Sequence, residues 1–288
     1  MSYIELIILL TTGIFAGLLG GLLGIGGSIV CIPVMSIGLG IPIYIAQAAA
    51  MISNVFVASP AAIRHYKNNA VNILALKTLI PSGIFAIIIG VFISARINSR
   101  ILEIVFGCFL TYVVFSMIRS LYVKNKKEFI TQDNQKQNKL HLISVGSTGG
   151  ILAGILGIGG GTAIVPLLHK TCNFSLKTSI GTSSGMMIMT AAIGSIVKLL
   201  AIPTSAYSSS DSPLFLYKNS VTEAGTLKYF LLLWEQTSQP ILLACALIPT
   251  AIVGSWLGAT LLNRLPVNIV KIIFCLFVSI AAFKMLFG

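Results

Sequence analysis

The chain has 288 residues, 56% hydrophobic and only 9% charged, with a mean hydropathy of +0.96 and a formal net charge of +12. A soluble domain carries about 25% charged residues, so this composition excludes an ordinary water-facing surface. The basic residues lie between apolar segments rather than in one patch, which excludes the footprint of a nucleic-acid binder, and five scattered cysteines without a C-x-x-C spacing support neither a disulfide framework nor a zinc site.

The first apolar segment, residues 4–24, has no basic n-region and runs beyond a signal-peptide core, so it is read as a retained membrane helix. About 20 helical residues cross a hydrocarbon core, and in lipid each backbone polar group needs an internal partner, which calls for helices. A barrel is excluded because runs such as Ile84 to Ile93 are apolar on every side. A glycine cluster, Leu23-Gly24-Ile25-Gly26-Gly27-Ser28, then opens a short apolar stretch, 27–39, too short to cross alone. Spans 44–65, 73–95 and 101–123 follow, and 124–139 is a polar linker. The second set comprises 140–160, a second glycine cluster with the short stretch 161–171, then 175–200, 240–262 and 267–287. Between 175–200 and 240–262 lies a Ser-rich insert, 204–239, whose amphipathic run Thr226 to Trp234 suits the membrane interface. The expected fold is all-α, a polytopic bundle of about eight spans built as a first repeat (1–123), the linker and a second repeat (140–288).

The duplication is explicit. Leu23 to Ser28 with Pro33 recurs as Leu156-Gly157-Ile158-Gly159-Gly160-Gly161 with Pro166 at an offset of 133. Ser53 and Lys67 align with Ser184 and Lys198 at 131, and Pro81, Gly90, Arg96 and Phe106 with Pro249, Gly258, Arg264 and Phe274 at 168. The growth of the offset measures the insert. With four spans per half, the repeats are expected to run parallel, and the Lys and Arg count places the linker and both termini on the cytoplasmic side, 13 basic residues against 6.

Glycine clusters in membrane helices release backbone groups, and irregular backbone at depth is tolerated where it is buried in protein or lines a cavity. Gly24, Gly26, Gly27 and Ser28, with Gly157, Gly159, Gly160 and Gly161, are therefore candidates to seat an anion on freed amides; close helix packing is the structural alternative. Thr182, Ser183 and Ser184, with Ser53 and Asn54 in the first half, offer neutral donors on otherwise apolar helices, or else hydrogen bonds between helices and to their own i−4 carbonyls. Lys67 and Lys198 can draw an anion into a vestibule, or snorkel to headgroups. Gly181 to Gly185 matches G-x-S-x-G, but His65, His141 and His169 all precede it and no strand-turn-helix context is expected, so no catalytic residue is assigned. Only Glu5 and Glu103 of the seven carboxylates fall in spans, near their ends, which leaves no visible proton relay. An inside-negative potential favours anion exit by about 2.3 kcal/mol per charge per 100 mV without one.

The repeated LGIGGG…P element, the GTSSG stretch, the duplicated eight-span layout and the paired P…G…R blocks resemble the TauE/SafE family of membrane transporters, over nearly the whole chain apart from the linker and the insert. The resemblance implies export of sulfite, sulfoacetate or a related organosulfur anion across a bacterial cytoplasmic membrane, without a cofactor. The halves differ: Ser28 stands where the second motif has Gly161, and Ala50-Met51-Ile52 lacks the Gly-Thr-Ser of the second half. The partners expected are a small anion and the lipid bilayer, with no nucleic acid; a homo-oligomer is compatible with the sequence. A passive anion channel is the alternative activity, and a non-transporting membrane scaffold the alternative class.

Overall fold

The computed structural model describes residues 3–122, 138–207, 226–261 and 267–288. Among them every regular element is helical: α1 (Tyr3–Leu23), α2 (Ser28–Pro33) running into a π-helical turn (Val34–Gly38), α3 (Ile43–Lys67), α4 (Ile73–Ser94), α5 (Ser99–Tyr122), α6 (Lys139–Leu156), α7 (Gly161–Thr171), α8 (Leu176–Tyr207), α9 (Thr226–Leu261) and α10 (Val267–Phe287). The protein is an all-α polytopic bundle. Seven of these helices are long and apolar enough to cross a membrane within the described residues, and Ser28–Gly38 is apolar but shorter. The run Thr226 to Trp234 is not a separate element but opens the 36-residue α9; residues 124–137 of the linker and Ser208 to Asp211 lie outside the described residues.

Local sequence explains the ends. The Asn72 side chain accepts the amide of Ala75 at 2.9 Å and starts α4, and Asn138 accepts that of Leu140 at 3.1 Å and starts α6. Pro33 has no N–H to give the helical ladder, and the π turn follows it directly.

Glycines spaced by four set the closest helix contacts. Gly13, Gly17 and Gly21 of α1 lie on Leu247, Ala251 and Ser255 of α9; Gly146, Gly150 and Gly154 of α6 lie on Leu79, Gly83 and Ile87 of α4. Small residues at this spacing let backbones approach in a solvent where burying leucine gains little. A Cβ on Gly150 would stand 2.6 Å from the Gly83 carbonyl oxygen and one on Gly154 2.5 Å from that of Ile87, so even alanine would push the helices apart.

These registers fix direction. Rising order on both sides makes α6 parallel to α4, and Gly185 and Gly194 of α8 meeting Leu76 and Ile87 make α8 parallel to both. α3 runs the other way, since Gly181 of α8 touches His65 whereas Gly194 touches Met51. α1 is parallel to α9 and ends with Gly24 against Ile180, beside the end of α3. α5 turns back from α4 over residues 95–98. The end of α10 returns to the start of α5, where the Leu286 carbonyl accepts from Arg100 Nη2 at 3.4 Å.

Because α6 and α8 are parallel, the chain between them must come back. The 11-residue α7 does so along α6, with Ile164 on Gly149 and Leu168 clustered with Val145 and Leu142. Thus α1, α3, α5 and α9 run toward the face where α5 ends and α6 begins, here the linker face; α4, α6, α8 and α10 run toward the opposite, terminal face. This corrects the expectation that the linker and both termini share one side and that the halves run parallel. Counting only long spans gave an even number per half, but the short segment after each break returns the chain, and α3 and α8, which the sequence repeat pairs, are antiparallel.

Candidate functional site

Both glycine clusters interrupt the helices they follow. Gly24 and Gly26 adopt φ of +66° and +77°, and Gly157, Gly159 and Gly160 of +71°, +71° and +96°, left-handed values that glycine alone adopts without strain. The two breaks cross. Gly161 lies against the Gly24 carbonyl and Ile25, and Gly26 and Gly159 both face Asn54 of α3 and Met187 of α8. Asn54 lies near the middle of the Ile43–Lys67 helix, so the crossing sits near the centre of the span.

Four side chains pin it. Asn54 Oδ1 accepts the Gly27 amide at 3.0 Å, while its Nδ2 donates to the Ile158 carbonyl at 3.1 Å and to Ser28 Oγ. The Thr162 hydroxyl donates to the Ile25 carbonyl at 3.0 Å, Thr190 to that of Gly159 at 2.9 Å, and Ser183 to that of Gly24 at 3.3 Å. One asparagine of the first half therefore ties both breaks together, and the first break is also held by Thr162 and Ser183 of the second half, the second by Thr190 of its own half. Asn54, Ser183 and Thr190 are fully buried. Buried carbonyls outside a helical ladder need such partners. Of the break amides, that of Gly27 is taken by Asn54, and four break carbonyls, those of Gly24, Ile25, Ile158 and Gly159, hold hydroxyl or amide donors.

The remaining candidates divide. Ser53 and Ser184 donate to carbonyls of their own helices, Ala49 and Ile180, at 2.9 Å each. Thr182 Oγ1 accepts the Asn72 amide at 3.0 Å and so anchors the start of α4. Lys67 is exposed at the end of α3, apart from the crossing. Its repeat mate Lys198 is buried in α8, donating to Ser94 Oγ at 2.8 Å and to the Gly154 carbonyl at 3.3 Å. Ser183 lies inside α8 with its hydroxyl on the carbonyls of Ile180 and Gly24; G-x-S-x-G forms no strand-turn-helix elbow.

Sequence reading missed Thr162, Thr190, Gln47 and His65. Thr162 directly follows the second glycine cluster, and Ser183, Met187 and Thr190 fall at i, i+4 and i+7, one helical face; both signals were available. Gln47 touches Gly157, and His65 touches Gly181 near the start of α8. Each is buried with one side-chain atom, Gln47 Oε1 or His65 Nε2, that has no hydrogen-bond partner. Nothing in the sequence distinguishes these from ordinary helix residues. Among the described residues, no group of three or more His, Cys, Asp or Glu could hold a metal ion.

Comparison with known proteins identifies the family. Residues 9–285 match the sulfite exporter TauE/SafE family. The chain is 26% identical over 99% of its length to a probable membrane transporter protein, MamO, of Paramagnetospirillum magneticum, of which the match covers 45%. It therefore spans less than half of that relative and of its counterpart in Magnetospirillum gryphiswaldense. A probable membrane transporter protein of Haemophilus influenzae is 28% identical over 97% of both chains, and one of Methanocaldococcus jannaschii is 31% identical over 69% of this chain and 74% of its own. No solved structure gives a significant match. A bundle of membrane-crossing helices, two crossed glycine breaks and a family match across almost the whole chain lead to one conclusion: the protein belongs to the sulfite exporter TauE/SafE family of membrane transporters.

Proposed function

We propose that the chain exports a small anion, of the sulfite or organosulfonate class, through the crossing of its two broken helices. The observation that carries this reading is the bridge made by Asn54 between the Gly27 amide and the Ile158 carbonyl. The bridge is made of exchangeable donors. Hydroxyls of Thr162, Ser183 and Thr190 can turn from a carbonyl to an oxyanion without the desolvation penalty of a full charge. The closed crossing is then the occluded state, and parting the breaks exposes the donors to one side at a time. The family's description supports sulfite as the first substrate to try.

The orientation we propose places the linker face in the cytoplasm and both termini outside. By position along the chain, 13 of the 19 basic residues fall at the linker face, among them Lys124, Lys126, Lys127, Lys136 and Lys139. Cytoplasmic loops carry that excess. In a bacterial cytoplasmic membrane an inside-negative potential then favours anion movement from the linker face to the terminal face.

The test is flux of radiolabelled sulfite, sulfoacetate and sulfate in proteoliposomes. Saturation at modest concentration and counterflow are expected, and Gly159→Leu abolishes both. Linear, non-saturating flux identifies a channel instead, and no movement of any of the three anions removes the substrate class.

A further inference from the structure

The buried ammonium of Lys198 is not explained by the crossing itself. It is 3% exposed, on a membrane-spanning helix, amid a cluster formed by Met51, Ile87, Val91, Ala95, Ala153 and Ala201. Its contacts among the described residues are neutral acceptors, the Ser94 hydroxyl and the Gly154 carbonyl, and no carboxylate among the described residues is paired with it. A cation in such surroundings is costly unless a counter-charge arrives. The carbonyls at the end of α6 offer only the partial negative charge of a helix C-terminus.

A second polar side chain lies opposite. Met51 of α3 meets Gly194 of α8, and one turn further along this antiparallel pair Gln47 stands across from Lys198. Their heads converge on successive carbonyls of the last turn of α6: Lys198 Nζ on Gly154 at 3.3 Å and Gln47 Nε2 on Ile155 at 3.5 Å. The Gln47 contact is at the limit of a hydrogen bond, and the other end of its amide, fully buried, has no partner at all. The Nε2 group carries a second N–H, so the amide can donate to a ligand while it stays on Ile155. Gly157, the first residue of the second break, rests on Gln47 itself. Movement of that break therefore bears directly on Gln47. The first half lacks the charge: Lys67, the repeat mate of Lys198, is exposed at the end of α3.

We infer that Lys198 and Gln47 form an anion station on the terminal side of the crossing, where the ammonium neutralises one charge of a small oxyanion and the amide donates to one of its oxygens. The station rests on the transport reading given above and adds to it the residue that carries the charge and its place on the exit side. It is selective for anions small enough to sit between α3 and α8, and a neutral analogue of the same shape does not occupy it.

The test uses the full chain purified in detergent and in proteoliposomes, with sulfite as probe and Lys77→Met on the exposed face of α4 as control. Wild type and Lys77→Met are expected to show a rise in melting temperature with sulfite and saturable flux. Lys198→Met is expected to melt no lower than wild type, since it removes a buried cation that has only neutral partners among the described residues. It loses the sulfite-induced rise, and its flux falls by about 100-fold, the loss typical of deleting one partner of a buried charge contact. Lys198→Arg retains part of both. Gln47→Leu raises KM with a smaller change in kcat, which a purely structural clamp on α6 does not do. The inference is overturned if Lys198→Met keeps the sulfite-induced rise and flux, or if its losses follow a lowered melting temperature that Lys198→Arg shares. If the wild type neither binds nor moves sulfite, sulfoacetate or sulfate, the transport reading itself falls and the station with it.

Discussion

At the residue scale the account turns on which polar side chains hold the breaks and which only satisfy their own helices. Asn54 makes three contacts across the crossing, so Asn54→Leu leaves a buried amide and a buried carbonyl unpaired; each costs roughly 1–3 kcal/mol. A fall in thermal stability in detergent together with lost flux is expected. Thr190→Val frees the Gly159 carbonyl and should destabilise by about 1–3 kcal/mol, whereas Ser53→Ala should cost less, since its hydroxyl bonds only the i−4 carbonyl of its own helix, a contact that adds little. Thermal unfolding of the three variants side by side checks the distinction, and equal losses would contradict it. The polar residue types were legible in the sequence, but their partners were not. Ser53 and Ser184 align across the repeat and both turn inward on their own helices, whereas Thr162 and Thr190 hold the breaks. A hydroxyl's partner depends on which backbone it faces, and that is decided by the packing of helices far apart in sequence.

At the element scale, span positions followed from apolar length alone. The predicted 44–65 and 73–95 correspond to Ile43–Lys67 and Ile73–Ser94, because length and hydropathy are what a bilayer selects. The breaks were legible too, since glycine clusters are costly inside helices. Direction was not legible: an 11-residue α7 looks too short to matter, yet it returns the chain and reverses every later helix. The packing glycines before each break, at 13, 17 and 21 and at 146, 150 and 154, share the offset of the break motif and could have been found. They carry a sharp prediction. Gly150→Leu brings a side chain onto the Gly83 backbone and should abolish folded, monodisperse protein in detergent, whereas Gly40→Ala, at a turn with open space around it but φ of +65°, should cost about 1 kcal/mol of strain. Size-exclusion profiles and melting curves distinguish the two.

For the whole molecule, topology is the first quantity to measure. Cysteine labelling from either side should place positions in 124–137 in the cytoplasm and residues near both termini outside; the reverse assignment would remove the exit-side position of Lys198. The central claim is that the crossed breaks must part for an anion to pass. It is tested most directly by tying them together. With the five native cysteines Cys31, Cys108, Cys172, Cys245 and Cys275 replaced, Ile25→Cys and Thr162→Cys, adjacent across the crossing through the 3.0 Å contact of Thr162 with Ile25, are joined by a short bifunctional thiol reagent with a reducible spacer. Sulfite flux in proteoliposomes should vanish on cross-linking and return on reduction. Flux that continues unchanged in fully cross-linked protein would contradict the account.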